Sequence, residues 1–167
     1  TGNRTIRSDS VICEGSLFNN LGASAVGGGD LSYKYQWQDS IVSSVKYLPA
    51  AGTNTSTIYT PDTSTFSVNE QRFLRRVVFS GPDSVCKSRS VPILLTRYHK
   101  IKNNSILTDQ TICSGSAPSA LSGTTPIQGK TGDYTYEWQD SSKVNTIWTT
   151  RGTTNFTFSP PVLADTT

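Results

Sequence analysis

Three cysteines, one histidine and two copies of a Gln-Asp-Ser segment are the side chains of this 167-residue chain that could form covalent bonds, ligate a metal or move a proton. Each cysteine sits beside turn residues rather than inside an apolar run, so Cys13 and Cys86 are expected to form a disulfide, which would place the chain in an oxidising compartment. Three free thiols in a reducing compartment are the alternative. There is no C-x-x-C pair, and a single His cannot complete a tetrahedral site, so no metal centre is expected. His99, in Tyr98-His99-Lys100, is expected to be exposed. Nucleophilic catalysis needs a base beside the nucleophile and a third group to orient that base. Asp39 and Asp140 each follow a Gln at a strand end, where bonding to a turn backbone is the expected role. The sequence therefore predicts neither enzymatic activity nor a cofactor.

Arginines and aromatics offer binding chemistry instead. Arg72, Arg75, Arg76, Lys87 and Arg89 could make a basic stripe for an acidic glycan or a phospholipid surface, although a solvated sheet face is the expected reading. Tyr33, Tyr35 and Trp37 alternate with Lys34, Gln36 and Gln38, and Tyr134, Tyr136 and Trp138 alternate with Thr135, Glu137 and Gln139. A period of two puts the aromatics on one face of a strand, so Trp37, Tyr35, Trp138 and Tyr136 are predicted to be core. Trp148 and its counterpart Tyr47 lie nearer a sheet edge and are the candidate glycan contacts.

These residues recur because the chain repeats itself with a period of about 100 residues. Asn3 to Ser16 (NRTIRSDSVICEGS) matches Asn103 to Ser116 (NNSILTDQTICSGS), and Tyr33 to Ser40 (YKYQWQDS) matches Tyr134 to Ser141 (YTYEWQDS). Tyr47 meets Trp148, Gly52 meets Gly152, Tyr59 meets Phe158 and Pro61 meets Pro160. Residues 1–100 are read as one repeat and 101–167 as a second, in which Thr167 falls opposite about Arg72. The second repeat is thus expected to lack its last strands, to leave Cys113 without a partner, and to be ordered only if strands come from further along the chain or from another chain.

The elements that must position these groups are short β-runs divided by turn chemistry. Ser and Thr account for 23 residues each and there is no Met, a composition that weakens helices and suits strands. Seven strands per repeat are expected, near 4–12, 21–26, 33–40, 45–50, 56–60, 72–80 and 90–98 in the first, the pattern of a β-sandwich. A net charge of +3 leaves no nucleic-acid footprint, and no apolar run is long enough to span a membrane.

Residues 110 to 116 (QTICSGS), Leu121-Ser122-Gly123, Tyr134 to Ser141, Trp148, Gly152 and Phe158-Ser159-Pro160 resemble the tandem immunoglobulin-like repeats of very large Bacteroidota surface proteins. Phe73 to Val78, followed by Cys86, Ser88 and Ser90, is similar to the end of the same repeat. The resemblance implies an all-β chain of tandem immunoglobulin-like sandwiches, exported by type IX secretion to the cell surface. It also implies O-glycans on Asp-Ser-apolar sites, here Ser10, Ser40 and Ser84. The function expected is a stalk and adhesion module of a secreted adhesin, of the gliding-motility type, with neighbouring repeats and surface polysaccharide as partners. The alternative is a carbohydrate-binding or spacer module of a secreted hydrolase.

Overall fold

The computed structural model describes residues 3–4, 8–44, 46–130, 132–142, 146–153 and 155–162. The chain divides into two compact units, Thr1–Lys100 and Ile101–Thr167. Among the described residues the regular elements are strands and two 3-10 turns, so the protein is all-β.

Unit 1 is built on β1 (Ser10–Cys13), β2 (Tyr33–Ile41), β3 (Leu48–Pro49), β4 (Glu70–Ser80), β5 (Cys86–Arg89) and β6 (Ile93–Tyr98). They form one sheet in the order β1-β6-β4-β2-β3, with β5 also paired to β4. The long central β4 pairs antiparallel with β2 along one edge and shares its other edge between β6 and β5. β1 lies parallel to β6 at the sheet's rim.

Period two decides what each strand buries. Trp37 lies opposite Arg76, Tyr35 opposite Val78 and Asp39 opposite Leu74, so these six share one face. That face packs on Phe18, Leu21, Ala50, Tyr59 and Phe66 from the connecting segments, giving a core in which Trp37 and Leu95 are fully buried. Trp37 joins the two layers. Its ring stacks on Tyr59 at 5.7 Å, its indole N–H donates to the Ser56 carbonyl at 2.9 Å, and its own carbonyl accepts from Ala50 N–H at 3.0 Å.

Several expectations are corrected. The strands expected near 21–26 and 56–60 reduce to the single antiparallel bridge Leu21↔Tyr59, and the one near 45–50 to Leu48–Pro49. β5 has no counterpart among the expected strands. All four of its residues are exposed, so no apolar alternation announces it, and backbone pairing to β4 alone holds it. The stretch 62–71 is ordered rather than loose: Asp62 caps a 3-10 turn at Thr63–Thr65, and Phe66 behind it packs on Phe18 at 5.2 Å.

The Cys13–Cys86 disulfide is not formed. Both cysteines, like Cys113, are free and exposed. Cys13 pairs with Tyr98, beside the Glu70 end of β4, whereas Cys86 pairs with Ser80 at the other end. At about 3.4 Å per strand residue, the length of β4 separates them, against the roughly 4.4–6.8 Å between Cα atoms that a disulfide spans.

Unit 2 contains β7 (Leu121–Ser122), β8 (Glu137–Asp140), β9 (Thr149–Thr153) and β10 (Thr157–Phe158), paired as β7–β10 and β8–β9. It rebuilds part of unit 1 residue by residue. Gln139↔Thr150 and Asp140↔Thr149 repeat Gln38↔Pro49 and Asp39↔Leu48. The pair Leu121↔Phe158 repeats Leu21↔Tyr59. Trp138 stacks on Phe158 at 5.7 Å and donates its indole N–H to the Asn155 carbonyl at 3.1 Å. Tyr134 donates to the Gln128 carbonyl at 2.6 Å as Tyr33 does to that of Gly28.

Candidate functional site

The cations read from the sequence as one stripe fall on opposite faces of the sheet. Arg72 and Arg76 share the parity of Leu74 and turn toward the core, whereas Arg75 lies with Val77 and Phe79 on the outer face, level with Arg89 and Lys87 across the β4–β5 ladder.

On the core side, Arg76 is 2% exposed and is held by neutral acceptors. Its Nε–H donates to Asn3 Oδ1 at 2.9 Å and its Nη2 to the Ser24 carbonyl at 2.7 Å, while Asn3 Nδ2 returns a bond to the Arg76 carbonyl at 3.1 Å. Burial lowers the Arg76 pKa, and the facing Tyr35 ring, 5.2 Å away, offsets part of that. Arg72 pairs with Asp39 at 2.9 Å and Glu70 at 2.5 Å. Burial opposes ionisation of Glu70, but the Arg72 hydrogen bond and charge, with the Ser67 amide, outweigh it and hold its pKa below the ordinary value. Asp39 therefore serves an ion pair rather than a turn backbone, and Asp140 does the same with Arg151 at 2.9 Å. His99 is half-buried beside Glu14, with 3.5 Å between Nδ1 and Oε2. These charges are spent on structure.

On the outer face the rows Lys34–Phe79–Lys87, Gln36–Val77–Arg89 and Gln38–Arg75 place four cations and two amides over β2, β4 and β5. Arg75 donates through Nε and Nη2 to Gln38 Oε1 at 3.1 and 3.0 Å, and its guanidinium lies 3.6 Å over the Tyr47 ring. Lys87 Nζ sits 5.0 Å from the Phe79 centroid. Such a face offers donors and positive charge to an anion while its aromatics fix the long side chains.

Unit 2 presents a groove of about 420 Å³ lined by Ile106, Tyr134, Tyr136, Trp138, Trp148 and Phe156 among others. Trp138 is only half-buried where Trp37 is fully buried. The difference has a location: in unit 1 the edge of β2 away from β3 is covered by β4, and among the described residues no strand pairs with the equivalent edge of β8.

The two candidate glycan contacts differ in the same way. Tyr47 is half-buried under Arg75, whereas Trp148 is 64% exposed at the groove. Of the serines implied as O-glycan sites, Ser40 is corrected: it is 4% exposed, and its hydroxyl donates inward to the Ser44 carbonyl at 2.6 Å. Ser10 and Ser84 are half-buried, in β1 and in a turn. The sequence reading missed the burial of Arg76 and its bond to Asn3. Alternation along β4, with Leu74, Arg76 and Val78 on one side, was the signal available.

No helix among the described residues is long and apolar enough to cross a membrane. No curated protein and no solved structure matches the chain significantly. Residues 102–167, nearly the whole of unit 2, match the model of a family described as a domain of unknown function (DUF8696).

Proposed function

We propose that the chain is a repeat segment of a large cell-surface adhesin, in which similar β-modules supply reach and present a binding face. The observation that carries this reading is the reuse of one strand register, one Trp-aromatic stack and one indole-to-carbonyl bond in both units. Repeating a module extends a molecule without a new fold for each step. An immunoglobulin-like plan for each module is supported by the order β1-β6-β4-β2-β3, with a parallel rim strand and a buried Trp on β2. Export to the cell surface by type IX secretion, a role in gliding motility and O-glycans on Ser10 or Ser84 belong to the same proposal. It rests on the repeat and the resemblance, and no disulfide supports it. Antibodies against the 167-residue segment should label intact cells of the source organism, and protease treatment of those cells should remove the signal. Labelling only after permeabilisation would defeat the reading.

A second reading is favoured by one observation, the outer face bearing Lys34, Arg75, Lys87 and Arg89. As a binding module, the chain would take a carboxylated or sulfated polysaccharide there. Titration with heparin and with neutral dextran checks this: heparin binding should weaken with salt and be lost in a Lys87→Ala/Arg89→Ala variant. Equal binding of both polymers would exclude an anionic ligand.

A further inference from the structure

The groove of unit 2 lies where unit 1 holds β4, and the residues around it specify what fits. In unit 1 the consecutive Arg75 and Arg76 of β4 point to opposite faces, one guanidinium 3.6 Å over Tyr47 and the other 5.2 Å from Tyr35. The repeat places Trp148 at the position of Tyr47 and Tyr136 at that of Tyr35, and both line the groove. The backbone is prepared in the same way. Trp37 N–H donates to the Asn54 carbonyl, on the side away from β4. By alternation the N–H groups of Lys34, Gln36 and Gln38 point to β4, where they lie opposite Phe79, Val77 and Arg75. Their counterparts on the β8 side of the repeat are Thr135, Glu137 and Gln139.

We propose that unit 2 is a strand acceptor. It takes an extended peptide of the β4 type, apolar-Arg-Arg-apolar, added antiparallel to β8, with one guanidinium stacked on Trp148 and the next on Tyr136. Main-chain bonds to Thr135, Glu137 and Gln139 supply affinity that any extended strand would share, and the two aromatics select the Arg-Arg pair. The 64% exposure of Trp148 is then the open half of a cation–π pair. This inference is independent of where the protein resides or what it adheres to.

The test titrates the full 167-residue chain with a synthetic peptide of the sequence Glu70–Ser80, read by amide hydrogen exchange and by calorimetry. Saturable binding should slow exchange at Thr135, Glu137 and Gln139 and leave unit 1 unchanged. A peptide with Val77→Pro, which lacks the amide facing Glu137, should not bind. The peptide change Arg75→Ala and the chain change Trp148→Ala should each weaken binding by about two- to fivefold, and the two together by little more than either alone. Trp148→Ala alters an exposed side chain, so exchange in β8 of that variant before peptide is added reports whether unit 2 is intact. Absence of protection at millimolar peptide, or additive losses in the two changes, would overturn the proposal. So would a chain that sediments as a dimer with these amides already protected, because a second copy would then occupy the groove.

Discussion

Two tryptophans at equivalent repeat positions show how much a neighbouring strand decides. Trp37 is fully buried between β4 and the Tyr59 ring, so Trp37→Ala should destabilise unit 1 by about 3–5 kcal/mol in urea unfolding. Trp148→Ala, at an exposed ring, should stay within about 0.5 kcal/mol. The buried Arg76 depends on Asn3 for one of its acceptors. Asn3→Ala should cost about 1–3 kcal/mol, because a guanidinium donor then stays in the core unsatisfied. Glu70 gives unit 1 a pH dependence. Its folded-state pKa is depressed, so its contribution is complete above the unfolded value of about 4.3 and is lost as pH falls through the folded value. Glu70→Gln should therefore lower stability at neutral pH and flatten the acid side of the stability curve measured by denaturant titration.

The turn before β2 has a stricter demand than its glycine run suggests. Gly29 has φ +67° and a Cβ there would fall 2.4 Å from Ser80 Oγ, whereas Gly28, at φ +90°, has open space around it. Gly29→Ala should cost more than Gly28→Ala, about 2–3 against about 1 kcal/mol, in matched thermal melts. The Ser80 hydroxyl is already engaged with Asp30 and is nearly buried, so it has little room to yield. The elements legible in the sequence were those whose two faces meet different surroundings. β2 alternates aromatic with amphiphilic residues, and the buried half of β4 alternates Leu74, Arg76, Val78 with its outer side. β5 could not be read because neither of its faces is apolar, and the strands flanking Leu21 and Tyr59 shrank because side-chain burial, not a ladder, fixes those segments. The Arg75–Tyr47 stack was out of reach for another reason. Residues far apart in sequence meet only once register is set, and one residue of slip would have sent Arg75 to the core in place of Arg76.

At the scale of the whole chain, the claim that matters is that two units are the same strand scaffold in two states of completion. In unit 1 both edges of β2 are paired, and in unit 2 the described partner of β8 is β9 alone. A repeated scaffold with one open edge accounts together for the half-buried Trp138, the exposed Trp148 and the groove. Residue-resolved amide hydrogen exchange on the intact chain tests this most directly, because Gln36 and Gln38 in one unit can be compared with Glu137 and Gln139 in the other under identical conditions. The prediction is that Gln36 and Gln38 exchange only through global unfolding of unit 1, while Glu137 and Gln139 exchange at least about 100-fold faster. Equal protection of the two pairs in a monomeric chain would contradict the account.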